Sequence, residues 1–257
     1  MRRGSSESVA ARNEALLERL RQLKADHPFW GYRHCWAHLR YVDKLDVNKK
    51  RVYRLLKAHS LLATQTKHAV PRISSRPKPR PDRPNQWWGI DMTKAMTDAG
   101  WAYVVLVKDW YTKKIVGHYC GITARSSEWL TALDRGLNRQ FPDGVRNRQL
   151  HLMSDNGSQP TSVRFMKVCS VLGVHQAFTS YNNPKGNADT ERVIRTLKEE
   201  LIWLREWRDA YELSAALDTW IETYNETWLH SALGYRTPNR VEETYNLTTR
   251  TPLETAC

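Results

Sequence analysis

Residues 86–94 read QWWGIDMTK, and one carboxylate inside them decides the fold. The stretch is apolar and aromatic enough to form a strand. Asp91 then lies on the face opposite Ile90 and Met92, because side chains alternate along a strand. A carboxylate in the central strand of a sheet is costly unless something satisfies it. Partners for Asp91 are therefore to be sought elsewhere in the chain.

Downstream the patterns of a sheet continue. WAYVVLVKDW (101–110) reads as a strongly apolar strand and YTKKIVGHYC (111–120) as an alternating one. Hairpin turns are expected at Asp98/Gly100 and Asp109/Tyr111. SSEWLTALDRGLNRQF (126–141) is expected to be a helix with a Ser cap and Glu128 in its first turn. QLHLMSD (149–155) is a fourth strand, ended by Asp155. TSVRFMKVCSVLG (161–173) is a helix closed by Gly173, and VHQAFT (174–179) is a fifth strand. SYNNPKGNADT (180–190) is a loop rich in turn formers. ERVIRTLKEELIWL (191–204) is a helix opened by Glu191. Three strands, helix, strand, helix, strand, helix make a mixed α/β sheet. Its first three strands are a meander and its later ones need crossovers.

Upstream the composition changes twice. PRISSRPKPRPDRPNQ (71–86) holds prolines that forbid regular hydrogen bonding and cations that keep it extended. The organisation expected is a helical domain over 1–64, a Pro/Arg-rich linker over 65–85, a catalytic-type domain over 86–240 and a tail over 241–257. Within the first of these, Leu16, Leu17, Leu20 and Leu23 recur at helical spacing. Tyr32, Trp36 and Leu39 mark a second helix. Asn48 is the N-cap of a third, which buries Val52, Leu55 and Leu56 and exposes Lys49, Lys50, Arg51, Arg54 and Lys57. Two short helices, the second studded with cations, suggest a helix-turn-helix, although a solvated basic face would leave the same pattern.

Charge narrows the partners. Forty Lys and Arg stand against 27 Asp and Glu in 257 residues, a net +13 with pI near 9.7. A domain this basic meets a polyanion, with nucleic acid the first candidate and an anionic membrane surface the second. No run of eighteen apolar residues is present, so no transmembrane helix is expected. The first twenty residues lack the apolar stretch of a signal peptide. Cys35, Cys120, Cys169 and Cys257 are scattered, which argues against a disulfide framework or a thiolate zinc site and for a reducing cytosol.

Three carboxylates stand at special places: Asp91 within a strand, Asp155 at the end of one, Glu191 at the start of a helix. Singly, Asp155 could be a turn residue, and Glu191 could merely complement the helix dipole. Together, close carboxylates repel, and the set makes sense with divalent cations bound. Oxygen-only ligation favours Mg²⁺ or Mn²⁺. Two such ions, ~3.5–4 Å apart, activate a hydroxyl and stabilise a leaving oxygen at phosphorus. Lys198 lies seven residues past Glu191. On a helix Glu191, Arg195 and Lys198 share one face, where a cation can hold a DNA phosphate. Lys185, before Glu191, is expected on a DNA-touching loop. Of Trp87 and Trp88, one is expected in the core and the other over the linker junction.

Thirty-five residues separate Asp155 from Glu191. WGIDMT (88–93), SDNGSQ (154–159) and NNPKGNADTERVIRTLKEE (182–200) resemble the DD35E pattern of bacterial insertion-sequence transposases in the retroviral-integrase superfamily. YNETWLHSALGYRTPNR (224–240) resembles the segment that follows that core, though Trp228 and Leu229 stand where Arg-Pro is common. FWGYRHCWAHLR (29–40) and NKKRVYRLLKAHSL (48–61) resemble the small helical domain before it. The resemblance implies an RNase H-like fold with a mixed five-stranded sheet, and Asp91, Asp155 and Glu191 as catalytic metal ligands. It implies two Mg²⁺ or Mn²⁺ ions, DNA cleavage leaving a 3′-OH, and attack of that 3′-OH on another phosphodiester. Lys198, Arg195, Lys185, Asn156, Lys49, Lys50, Arg51 and Arg54 become candidate contacts to double-stranded DNA. It also implies a homo-oligomeric synaptic complex, fusion to or association with an upstream-frame product, and a cytoplasmic, nucleoid-associated bacterial setting. Retroviral integrases carry a His/Cys zinc module. Here His34 and His38 pair at i, i+4, but Cys35 points elsewhere and no zinc is expected. Two readings compete with transposition: a nuclease of the same fold that does not join, and a non-catalytic DNA-binding regulator. Loss of one of the three acids would favour the regulator, and all three are present.

Overall fold

The computed structural model describes residues 7–63, 79–179 and 187–250. The chain divides into two compact units, Met1–Arg72 and Ile73–Cys257. Most of the expected linker, Lys185 and Cys257 lie outside the described residues.

The first unit holds three helices, α1 (Glu7–Asp26), α2 (Tyr32–Tyr41) and α3 (Lys49–Ala58). The leucine repeat of α1 works as expected: Leu16, Leu17, Leu20 and Leu23 are buried, as are Leu39, Val52 and Leu56. Leu55 is only half-buried. Asn48 caps α3, its side chain accepting the Lys50 N–H at 2.8 Å. The loop before it is fastened by Arg19, which donates to both oxygens of Asp43 at 2.8 and 3.0 Å. Trp36 Nε1 also donates to the Val47 carbonyl at 2.7 Å.

The second unit is a five-stranded mixed sheet flanked by helices. Its strands are β1 (Trp87–Thr97), β2 (Gly100–Asp109), β3 (Ile115–Gly121), β4 (His151–Ser154) and β5 (His175–Phe178). They lie in the order β3-β2-β1-β4-β5. β1, β2 and β3 pair antiparallel, whereas β1 with β4 and β4 with β5 pair parallel. The parallel pairs are reached through α4 (Ser126–Gln140) and α5 (Val163–Leu172). These helices pack on one face of the sheet, where Trp88, Ile90, Val105, Val107, Trp129, Leu133 and Phe165 share a core. Contact there is close. A Cβ on Gly117 of β3 would lie 2.2 Å from the Ala132 carbonyl oxygen of α4, so only glycine fits. The other face carries α6 (Ala188–Glu200) and α7 (Ala210–Thr227), with Val104, Leu106, Val193, Leu197, Trp207, Leu213 and Leu217 in a second core.

Turns and caps depart from expectation in detail. The first hairpin closes through Asp98 and Ala99, with Gly100 at φ +110°. The second is organised by buried Asp109, which accepts Thr112 N–H, Thr112 O–H and Asn85 N–H. The cap of α4 is Arg125 and not a serine: Glu128 reaches back to the Arg125 N–H at 2.7 Å. Ser162 and Gly173 bound α5. In the last turn of α7, Asn225 of the YN pair stitches that helix to β3. Asn225 brackets Ile115 with two 2.9 Å hydrogen bonds, and α8 (Pro238–Arg250) follows. Of the tryptophan pair, Trp88 is fully buried and Trp87 stacks on His151 at 4.5 Å.

Candidate active site on the central strands

Register brings the first two carboxylates within electrostatic reach of each other. Trp87, Trp88 and Gly89 pair in parallel with His151, Leu152 and Met153. Asp155 follows Ser154, the last residue of β4, and its charge acts on Asp91 two residues past the end of that ladder. Asp91 lies on the α6 face. Gly89, two residues before Asp91, lies directly under the start of α6: a Cβ there would meet Thr190 Oγ1 at 1.9 Å and Asn187 Oδ1 at 2.8 Å. Glu191 follows Thr190 in the first turn of α6.

Asp91 registers all of this electrostatically. Its pKa is pushed up to about 6, first by burial, while the Met92 N–H on its Oδ1 at 2.8 Å opposes the shift. Asp155 and Glu191 raise it further and Lys198 lowers it. Three carboxylates and one ammonium thus share one field. The side chains are not drawn into a tight cluster: among the described residues, no three His, Cys, Asp or Glu groups are placed to hold a metal ion. Asp155 is exposed and folds back to accept its own Gly157 N–H at 3.0 Å, and Glu191 is exposed. The oxygen-only donor set fits a hard divalent cation, and the raised Asp91 pKa, set first by burial and then by the two acids, marks a costly carboxylate.

The other candidate residues divide. Lys198 makes no ion pair within the described residues and acts on Asp91 from the same helix face. Arg195 is engaged with Glu199 at 2.7 Å. Asn156 donates to the Thr179 carbonyl at 2.6 Å, tying the ends of β4 and β5 together. In the first unit Lys49, Lys50, Arg54 and Lys57 of α3 are exposed as expected, and only Arg51 is half-buried. Lys49 Nζ lies 4.0 Å over the Trp36 ring and Arg51 donates to Asn13 on α1 at 3.0 Å. Cationic stems cover apolar neighbours while their heads find local partners. Sequence reading also passed over the residues that fasten α6 beside the carboxylates, Asn187, Thr190 and Lys108. A glycine inside a strand was the available signal.

Comparison with known proteins agrees with this architecture. Residues 81–184 and residues 172–238 match Integrase core domain families, together more than half of the chain. Residues 11–69 match an HTH-like domain. Over 232 residues the chain is 28% identical to the transposase InsD for insertion element IS2A/D/F/H/I/K of Escherichia coli, covering 87% of this chain and 76% of that protein. Among solved structures, a chain of the simian T-cell lymphotropic virus intasome in complex with PP2A regulatory subunit B56 gamma is similar over 87% of this chain and 74% of its own length. That likeness, at 15% identity and a TM-score of 0.50, speaks to the fold.

Proposed function

The chain belongs to the integrase-core family of insertion-sequence transposases, and from that premise we propose that it cuts and joins DNA at Asp91, Asp155 and Glu191. The observation that carries the reading is Asp91: a carboxylate on a central strand, raised to about 6 by burial and by two facing carboxylates. Nothing in the packing of the sheet requires a charge there. Asp91, Asp155 and Glu191 would hold Mg²⁺ or Mn²⁺. When bound, a pair of such ions activates the attacking hydroxyl and stabilises the leaving oxygen at phosphorus.

The chain's own groups set the geometry of the reaction. Asp91 lies on the central strand β1, Asp155 just past the end of β4, and Glu191 closes the site from α6. Lys198 holds a phosphate beside them without taking part in bond making. Water attacks in the first step, leaving a 3′-OH, and that 3′-OH attacks a second phosphodiester in the next. Two element ends and a target must meet, so the working form contains more than one copy of this chain. An upstream-frame partner rests on the family resemblance alone, as do the cytoplasmic setting and the nucleoid association.

The first unit adds affinity through phosphate contacts. Lys50 and Arg54 carry this more than Lys49 and Arg51, which have partners inside the unit. Asn156 and Arg195 support the site's loops and helix surface. Changing Lys50 and Arg54 together to Ala should flatten the salt dependence of DNA binding by about two phosphate contacts, each contributing a slope of roughly 0.9.

The decisive experiment uses a plasmid carrying the DNA that flanks the coding region. With Mg²⁺ the chain should nick it, and pre-cut ends should be joined to a second plasmid. Asp91→Asn should remove both reactions and retain DNA binding. Nicking by Asp91→Asn at close to the wild-type rate would place the chemistry elsewhere.

A further inference from the structure

We propose that the first turn of α6 is a polar clamp, with Asn187, Thr190 and Lys108 as positioning residues that set Glu191 against Asp91. The inference rests on the three carboxylates forming one site. Asn187 Nδ2 donates to the carbonyl of Ile90, the residue before Asp91, at 3.3 Å. Trp110 Nε1 donates to Thr190 Oγ1, the residue before Glu191, at 3.2 Å in a buried contact. Lys108 Nζ donates to the Asp189 carbonyl at 2.9 Å, and Lys113 Nζ reaches Asp189 Oδ2 at 3.2 Å. Lys108 is the antiparallel partner of Gly89, so the lysine and the glycine against which Thr190 and Asn187 pack are cross-strand neighbours.

Stability does not call for this arrangement. Val193, Ile194 and Leu197 already bury α6 against the sheet. Lysine 2% exposed and asparagine 3% exposed are expensive ways to hold a helix. Asn187 Oδ1 is buried with no hydrogen-bond partner among the described residues, a further cost. Apolar packing tolerates slip, whereas directional hydrogen bonds fix a distance. Here two of them act on the immediate neighbours of Asp91 and Glu191.

The test reads Mn²⁺ binding in two ways, as the concentration giving half-maximal plasmid nicking and as the concentration giving half of the Mn²⁺-induced rise in melting temperature. Asn187→Ala should raise both by about tenfold, the scale for losing an outer hydrogen bond to a metal site. Its rate at saturating Mn²⁺ should fall less, and its DNA affinity in EDTA should not change. Thr190→Val keeps volume and branching and should shift both readouts the same way, while Thr190→Ser, which keeps the hydroxyl, should restore them. This pair decides the matter if Asn187→Ala does not fold. Unchanged half-saturation in Thr190→Val overturns the clamp and leaves the carboxylate site standing. A wild-type chain with no Mn²⁺-dependent thermal shift, or one that Asp91→Asn does not abolish, overturns the carboxylate site and the clamp with it.

Discussion

On one face of the sheet, α4 meets Trp88, Val116 and Gly117 through hydrocarbon and a close backbone approach. On the other, the first turn of α6 meets Ile90, Lys108 and Trp110 through hydrogen bonds and lies close over Gly89. Both faces use a glycine to bring a helix close, yet they spend the closeness differently. Both faces carry apolar cores that hold the fold. The α6 face adds, in one turn, a buried lysine and the unmatched Asn187 Oδ1 beside Asp91 and Glu191. Substitutions in that turn and in the α4 core should have different signs.

The largest expected effect tests the packed side. Trp88→Ala should cost about 3–5 kcal/mol in urea unfolding, the range for deleting a buried aromatic ring. Its half-saturating Mn²⁺, measured on the folded fraction, should stay within about twofold, well short of the shift that removing an outer hydrogen bond to the site should produce. A larger change would mean that the two faces are not separable.

The second prediction reverses the sign. Asp91 has its folded pKa raised from 3.8 to about 6, so the folded chain binds a proton more tightly than the unfolded chain. Its burial therefore costs stability that is absent below about pH 4, grows between 4 and 6, and is complete above 6. Two units correspond to at most about 3 kcal/mol. In EDTA at pH 8, Asp91→Asn should be more stable than wild type by up to that amount, and the gain should fade as the pH falls from 6 to 4. Melting curves at pH 8, 6 and 4.5 decide it. A variant less stable at all three would assign Asp91 to the structural side of the comparison.

A third prediction sharpens the difference along α6 itself. Lys198→Ala should weaken binding of DNA flanking the coding region by roughly 1–3 kcal/mol, the value of a charge-assisted hydrogen bond. Lys198→Arg should keep most of the affinity. Arg195→Ala, the smallest effect, removes an exposed pair with Glu199 and should change binding and stability by less than about 1 kcal/mol. Equal losses for Lys198 and Arg195 in a filter-binding or anisotropy titration would make the helix a uniformly charged surface and not a directed one.

Much of this was legible in the sequence. The alternation around Asp91 fixed its face, and the apolar runs foretold five strands in the right places. The spacing from Asp155 to Glu191 pointed to the family resemblance that the matches to integrase core domains bear out. What alternation cannot convey is pairing across long separations. Thr190 meets Trp110 eighty residues away, and Asn225 meets Ile115 at 110. Neither position looks special in its own segment. Among the cations of α3 only Arg51 departed from expectation, for a related reason: it reads as exposed until α1 supplies Asn13 as its partner. Arg125 took the cap expected of a serine because Glu128 supplied the backbone bond itself. Gly89 was the missed clue: a residue without a side chain in an apolar strand marks the place where another backbone must come near.

The short parallel pairing of β1 with β4 has a further consequence, in time. Its ladder joins residues 64 positions apart, and it cannot form until the intervening β2, β3 and α4 have been made and folded back. Such non-local pairing is slow relative to a hairpin. During synthesis the β1–β3 meander can close while Asp155 and Glu191 are still inside the ribosome. Asp91 then waits beside no other acid, and its burial is least costly. Repulsion from Asp155 arises when β4 pairs, and that from Glu191 when α6 docks. A chain stalled before β4 would therefore hold the meander and Asp91 without the two acids that face it.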